Sequence, residues 1–477
     1  MMYQAILLLA PALLYLYNRR AARVLLTLIL VALLGMGAIG YVAIGFDQVV
    51  ILVASLALLV DPEVNPQWLS LISLVSTIGL PGYLPLFSIT ILVFLALSAK
   101  GAQGRIGLYS LVALPLTLLL QFMGFEFAPI PVLLLLLGVP PFHKWLSEMY
   151  SNYRPIGILV SITALLYLNA NRASYAALLP LVLVLGVLMM LSGVFQGMVS
   201  KNFATLSSAI HQVTFGLLIV ASQVDAALFI YALIPTTLAL IVINSLHDDL
   251  LRRAGKSGLF DFGGLSATLR VEAASILVAY LTIVSVMSLG AEGFMRSGLL
   301  GDLGLILLGC ATLFTVAASL AVFFRGYTLV YEGLPNPGTA MSGGEKYPAL
   351  TFSLVGLFSA LVPVLPLGAY AIITAEPIFH FDAVNILLLI ALAAIAVSIA
   401  FASRSKVVKR KSWTTGYAGI ADLSGSRGEV FTSWAEIFKP VYSIKVPDDR
   451  ASAILERLNP FLILLVLAAI TALGGMI

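Results

Sequence analysis

Long apolar runs recur along this chain from residue 3 to residue 476, and they constrain its fold more than any other feature. Each run approaches the roughly 20 residues that a helix needs to cross the hydrocarbon core of a bilayer. Backbone groups in lipid need hydrogen bonds within their own segment, so such runs form helices. Only 10% of the 477 residues are charged, against about 25% in soluble proteins, which excludes a soluble fold. The sequence therefore predicts an all-α polytopic membrane protein.

Windows of low charge between polar, Pro or Gly breaks predict about fourteen transmembrane helices. The windows are 3–17, 24–45, 48–60, 66–81, 84–99, 106–125, 129–146, 155–170, 176–198, 203–223, 226–246, 272–290, 301–323, 349–374, 382–402 and 458–476. The predictions at 48–60 and 66–81 are the weakest, because each window is short for crossing a bilayer unless the bilayer thins around it. We expect the chain to be a multi-pass protein of the prokaryotic cell (plasma) membrane.

One stretch is rich in charge. Residues 404–457 hold ten basic and six acidic side chains, 16 of the 48 charges in the chain, and are the only sizeable extramembrane piece that the sequence predicts. Within it, apolar residues recur at near-helical spacing: Val430, Phe431, Trp434, Ile437 and Phe438. This pattern fits an amphipathic helix at the membrane surface, and a soluble loop with a small apolar patch is the alternative.

Composition excludes several classes of function. A single cysteine, Cys310, precludes an intrachain disulfide framework and a Cys-rich metal site, and four histidines argue against a multi-metal redox centre. We expect no cofactor and no catalytic site in this chain. The net charge of +4 reflects basic loops rather than a nucleic-acid partner, so the lipid bilayer is the expected surrounding.

The string GVPPFHKWL at residues 138–146 is the most informative motif. Pro140 and Pro141 lack backbone donors and restrict the preceding residue, so a helix here kinks or breaks and leaves carbonyls in need of partners. Membrane proteins use such breaks at ion sites. The alternative is a helix that ends at a Pro-Pro loop, with His143 and Trp145 at the interface.

The string resembles the PPFHxWLP-type motif of the antiporter-like subunits shared by respiratory complex I, Mrp cation/proton antiporters and membrane-bound hydrogenase-type complexes. Two further stretches follow in the expected order. Residues 201–212, KNFATLSSAIHQ, resemble the family's KRxLAYSSISQ segment. WTTGY from Trp413, with residues 431–441, resembles the C-terminal signature of the hydrogenase or sulfur-reductase branch.

The resemblance implies two inverted five-helix repeats, each with a broken helix, and a lateral helix near the C-terminus. It divides the chain into shortened N-terminal membrane helices at 1–128, an antiporter-like core at 129–402, an extramembrane segment at 403–457 and a C-terminal transmembrane helix at 458–477. It also implies partner membrane subunits in a multisubunit redox complex. The small residues at 186–197 suit close packing against such sibling helices.

The resemblance also implies buried titratable residues, and most of their positions are apolar here. The expected lysine of the first repeat falls on Leu136, and the ionisable residue of the next helix falls on Ser161 or Leu166. Glu126 lies too close to the first motif to be the expected early glutamate. A group that relays protons in low dielectric has to change its charge state, which these replacements cannot do.

The second repeat departs from the family in the same way. Pro235 and Ala239 stand where its histidine and lysine are expected. The second break, usually GxPPxxGF, reads MSLGAEGF, with Leu289 and Gly290 in place of the prolines. The proton path implied by the family is therefore predicted to be degraded.

His211 is the one histidine inside an apolar helix of these motifs, one turn after Ser207 and Ser208. It is either a hydrogen-bonded core residue or the remnant of a proton relay, in which Lys201 at the start of the motif is the other candidate. His247, Asp248 and Asp249 end another helix; local ion pairs with the arginines that follow are favoured over a metal site.

Two functions follow from these patterns. The first is an antiporter-like membrane-arm subunit of a multisubunit respiratory redox complex that couples electron transfer in partner subunits to ion translocation, with its own proton path reduced to a structural role. The alternative is a stand-alone cation/proton secondary antiporter. A continuous polar axis or a self-contained polar site would favour ion movement by the chain itself.

Overall fold

The computed structural model describes residues 2–38, 46–59, 69–70, 73, 130–140, 143–152, 156–170, 172, 178–224, 226–255, 257–265, 269, 272–283, 322–323, 326–327 and 330–331. Helices account for most of these residues. The one antiparallel bridge among them joins Asn202 to Gly258. The predicted all-α class is confirmed for the part of the chain that is described.

The helices are α1 (Met2–Leu14), α2 (Arg19–Ala38), α3 (Phe46–Leu58), α4 (Ile130–Leu137), α5 (Lys144–Asn152), α6 (Ile156–Ala170), α7 (Leu179–Val199), α8 (Phe203–Val224), α9 (Ala226–Ala254) and α10 (Glu272–Ile283), with a 3-10 turn at Leu259–Asp261. Three stretches of the described residues are long and apolar enough to cross a membrane: Arg19–Gly37, Leu181–Met198 and Phe203–Ser222. The amphipathic helix predicted within 403–457 and the second break at Leu289 and Gly290 lie outside the described residues.

Two helices extend beyond their predicted apolar windows, and polar residues explain both extensions. α2 begins at Arg19 because the Asn18 side chain accepts hydrogen bonds from the backbone N–H groups of Arg20 (2.9 Å) and Ala21 (3.1 Å), which caps the helix. α9 continues to Ala254 because its last turns carry ion pairs four residues apart. Gly255, with φ +64°, then ends it in the left-handed conformation.

α8 lies at the centre of the described bundle and packs against α5, α6, α7 and α9. Its contact with α7 depends on glycines: a Cβ on Gly193 would lie 2.7 Å from the Ala209 carbonyl oxygen, and one on Gly216 would lie 2.7 Å from the Gly186 oxygen. The expectation that 186–197 packs against sibling subunits is therefore wrong for Gly186 and Gly193, since both meet α8 of the same chain.

The periphery is apolar, as lipid requires. Val24, Leu28 and Val31 of α2 are more than half exposed and recur on one side of that helix. α8 differs sharply, because 89% of its apolar window is buried. A polar residue on α8 therefore faces protein, and His211 is such a residue.

Candidate functional site

The first motif contains a true helix break, and its glycine ends the helix. Gly138 has φ +71°. Its N–H donates to the Leu135 carbonyl (3.0 Å), and the Val139 N–H donates to the Leu134 carbonyl (3.0 Å). This pair of bonds is the Schellman arrangement, which a left-handed glycine makes possible. α4 thus ends at Leu137, before Pro140 is reached; Pro141 lies outside the described residues.

Trp145 closes the same helix end from α5. Its indole is buried, and Nε1 donates to the Leu135 carbonyl at 2.9 Å. His143, half-buried, begins the turn into α5. The indole therefore closes this helix end from within the protein.

Ser161 supplies the next donor. From α6, its hydroxyl donates to the Leu136 carbonyl at 2.9 Å, and the side chain is fully buried. The carbonyls at 134, 135 and 136 thus all have donors from this chain. Each of these carbonyls already accepts at least one hydrogen bond, so an ion would have to compete with a protein donor at every one of them.

His211 lies beside this closed helix end, between α5 and α6. Tyr150 Oη is 2.7 Å from Nδ1, and Ser161 Oγ is 3.1 Å from Nε2. The ring also stacks on Phe215, with centroids 4.3 Å apart. All of these neighbours are buried, so both ring nitrogens find their partners inside the protein.

The donor and the acceptor in the bond between Ser161 and His211 follow from the proton count of Ser161. Ser161 has one hydroxyl proton, which goes to Leu136, so its oxygen accepts from Nε2–H of His211. In the neutral form of the ring, the proton therefore lies on Nε2 and Nδ1 accepts from the Tyr150 hydroxyl. This row of hydrogen bonds runs from Tyr150 through His211 and Ser161 to the Leu136 carbonyl, and it includes no charged partner.

A second buried histidine contacts α8 one turn before His211. His247 of α9 has Nδ1 3.2 Å from Ser207 Oγ and Nε2 3.4 Å from Tyr280 Oη, and its ring packs on Phe203 at 4.9 Å. Ser207 precedes His211 by four residues, so one side of α8 serves both histidines. Spacing gives no signal for the tyrosine partners, because Tyr150 is 61 residues from His211 and Tyr280 is 33 residues from His247.

The charges at the end of α9 form local ion pairs, as predicted. Arg252 lies 3.1 Å from Asp248, and Arg253 lies 2.5 Å from Asp249. Arg253 also lies 3.9 Å from Glu272 at the start of α10. Among the residues that the structure describes, no group of three or more His, Cys, Asp or Glu side chains is arranged to hold a metal ion.

The two candidates for a relay are not neighbours. Lys201 is exposed, and its carbonyl accepts a hydrogen bond from the Leu259 N–H at 2.9 Å. It precedes the start of α8 at Phe203, and His211 lies eight residues further into that helix, about 12 Å along its axis. Leu136 and Ser161, by contrast, are brought into direct contact, although both stand where the resemblance implies ionisable groups. Leu166, Pro235 and Ala239 are buried as well.

Comparisons with known proteins place this geometry in a wider context. Neither protein-family models nor curated proteins match the sequence. Solved structures match strongly. A chain of the membrane-bound sulfane sulfur reductase, described as an archaeal respiratory membrane complex, aligns with TM-score 0.66 and 15% identity over 98% of this chain and 99% of its own.

Two further structures agree. A chain of respiratory complex I from Thermus thermophilus aligns with TM-score 0.62 and 16% identity, over 77% of this chain and 96% of its own. A chain of the Mrp complex from Dietzia sp. DQ12-45-1b aligns with TM-score 0.57 and 13% identity, over 77% and 95%. The chain has the antiporter-like fold. The resemblance read from three short motifs is confirmed at the level of the fold.

Proposed function

We propose that this chain is an antiporter-like membrane-arm subunit of a multisubunit respiratory redox complex in a prokaryotic cell membrane, and that its own proton path has become structural. Its partners are other membrane subunits and the lipid bilayer, with electron transfer in separate subunits. The proposal includes about fourteen transmembrane helices, two inverted five-helix repeats and the division at residues 128, 402 and 457. The likeness to chains of three multisubunit membrane complexes supports this assignment.

The hydrogen bond between Ser161 and the Leu136 carbonyl is the main observation that supports a structural role for this chain. These residues stand where the resemblance implies ionisable groups, and they satisfy each other with a neutral hydrogen bond. A relay needs groups that take up and release charge, together with partners that accommodate both states. The row of hydrogen bonds through Tyr150, His211 and Ser161 ends on a backbone carbonyl, which accepts a hydrogen bond but releases no proton.

Neutral packing of this kind suits a subunit that fixes the geometry of its neighbours. The Schellman turn at Gly138 and the Trp145 bond hold α4 and α5 in one arrangement. A conducting element alternates between arrangements, whereas these bonds favour a single one. The chain therefore contributes spacing and lateral contact, while ion movement belongs to other subunits of the complex.

Purification from native membranes tests the assignment to a complex. A tagged copy of the chain, extracted in mild detergent, is expected to co-purify with several membrane subunits and with a subunit that carries redox centres. Reconstitution of the purified chain alone into sealed vesicles is expected to give no cation-driven proton flux. A stable single chain that exchanges cations for protons would overturn the proposal in favour of an independent secondary antiporter.

A further inference from the structure

One side of α9 is polar, buried and without hydrogen-bond partners at three positions. Thr237, Asn244 and Ser245 are 3%, 4% and 0% exposed. Among the described residues, Thr237 Oγ1, Asn244 Oδ1 and Ser245 Oγ have no donor or acceptor. Buried polar atoms in native proteins nearly always have a partner, so three in one helix segment require an explanation.

Other hydroxyls in the bundle satisfy themselves locally. Thr163, Thr214 and Thr236 each donate to the carbonyl four residues earlier, at 2.9, 2.8 and 2.5 Å. Thr237 and Ser245 lie inside the same kind of helix, yet neither makes this bond. Their hydroxyls are therefore turned away from the nearest backbone acceptor, which is the orientation of a group that binds something outside its own helix.

The three side chains line one stretch of α9. Thr237 and Asn244 are seven residues apart, so they lie on the same side of the helix, and Ser245 borders that side. Eight residues separate the first from the last, about 12 Å along the axis. The Asn244 amide nitrogen donates back to the Leu240 carbonyl at 2.8 Å, which leaves Oδ1 as its unpartnered atom. Asp248, paired with Arg252, follows one turn beyond Asn244.

The chemistry of these atoms selects the ligand. All three are neutral oxygens, two that both donate and accept and one that only accepts. They offer no charge to balance an anion or a metal ion, but they match water, which typically makes about three hydrogen bonds to otherwise unsatisfied buried groups.

We propose that α9 binds a short file of ordered water molecules along Thr237, Asn244 and Ser245. The water hydrates the interior of the chain on a face that carries no titratable side chain between Thr237 and Ser245. This file is independent of the proposed function, since it requires neither partner subunits nor proton movement. It stabilises the fold by partnering polar atoms that the helix itself leaves open.

A cryo-electron microscopy map of the intact complex that resolves ordered water tests the proposal directly. Density within hydrogen-bond distance of Thr237 Oγ1 and Asn244 Oδ1 is expected, and the density beside Thr237 is expected to disappear in Thr237→Val. A map that resolves water elsewhere but leaves this face dry overturns the proposal. The result does not depend on which subunits co-purify, so it is separate from the test of the proposed function.

A matched pair of variants gives a second readout. Thr237→Val and Thr236→Val make the same isosteric change on adjacent residues, but Thr236 already has its backbone partner. If water partners Thr237, both variants lower the temperature at which the subunit dissociates from the complex. If the Thr237 hydroxyl is dry and unpartnered, Thr237→Val raises that temperature while Thr236→Val lowers it, because removing an unsatisfied buried hydroxyl is favourable. The second pattern overturns the proposal.

Discussion

Ser161 connects His211 to the broken helix. Its oxygen lies 3.1 Å from Nε2 of His211, and its hydroxyl donates to the last turn of α4 at Leu136 (2.9 Å). One side chain thus uses its donor and its acceptor capacity on two different helices. Because the donor is committed to a carbonyl, the Ser161 oxygen accepts from Nε2–H of His211, and the side chain joins α4, α6 and α8.

Ser161→Ala is expected to destabilise the subunit by about 1–3 kcal/mol. The change leaves Nε2–H of His211 and the Leu136 carbonyl buried without partners. Thr163→Val is the control, since Thr163 lies on the same helix and donates to the Leu159 carbonyl of that helix. Thermal dissociation of the purified complex measures both variants. Equal losses for the two would show that Ser161 has no role beyond its own helix.

Gly138→Ala is expected to be severely destabilising. Its φ of +71° costs a non-glycine residue about 1–2 kcal/mol, and a Cβ would lie 2.5 Å from Cδ1 of Leu146, so the buried Leu146 side chain has to shift as well. Gly35→Ala provides the contrast: no atom lies within 4 Å of a Cβ there, and alanine favours a helix by about 0.5–1 kcal/mol. Expression level and thermal dissociation report the difference. A Gly138→Ala subunit as stable as the Gly35→Ala subunit would contradict the glycine-dependent break.

Gly193→Ala is expected to separate α7 from α8 and to weaken assembly. The added Cβ would meet the Ala209 carbonyl oxygen at 2.7 Å and the Val213 nitrogen at 2.8 Å, and both are rigid backbone atoms. The yield of intact subunit after detergent extraction is the measurement. Unchanged yield would mean that the two helices do not pack as closely as the structure has them.

Arg253→Met is expected to cost more stability than Arg252→Met. Arg253 is the less exposed of the two, at 12% against 27%, and it lies near carboxylates on α9 and α10. Removing it leaves Asp249 and Glu272 partly desolvated without that cation, which typically costs about 3–5 kcal/mol for a fully buried pair and less here. Thermal dissociation in low and high salt checks the order. A reversed order would contradict the shared role of Arg253.

Much of the helical frame could be predicted from the sequence. The predicted window 155–170 matches α6 to within one residue, and 203–223 matches α8 equally well, because apolar length defines a membrane helix. The break in the GVPPFHKWL motif was also predictable. The cause of the helix end was assigned to the prolines, whereas the structure places it at Gly138, since left-handed geometry cannot be read from a residue type alone.

The partners within the site could not be predicted. A helical pattern shows which side of a helix is buried but not which helix covers it, so the pairing of His211 with Tyr150 and of His247 with Ser207 left no signal in the sequence. The same limit explains the glycines of α7. Their spacing indicates close helix packing, and only the structure shows that the neighbour is α8 of the same chain.

The central claim is that His211 is structural, and proton pumping by the intact complex tests it most directly. His211→Gln keeps one donor for Ser161 and one acceptor for Tyr150 but cannot take up a proton at physiological pH. In sealed vesicles driven by the electron donor of the complex, the variant is predicted to pump protons at the rate of the unmodified complex, with the subunit fully assembled. Loss of pumping in a fully assembled His211→Gln complex would show that His211 relays protons and would contradict the account.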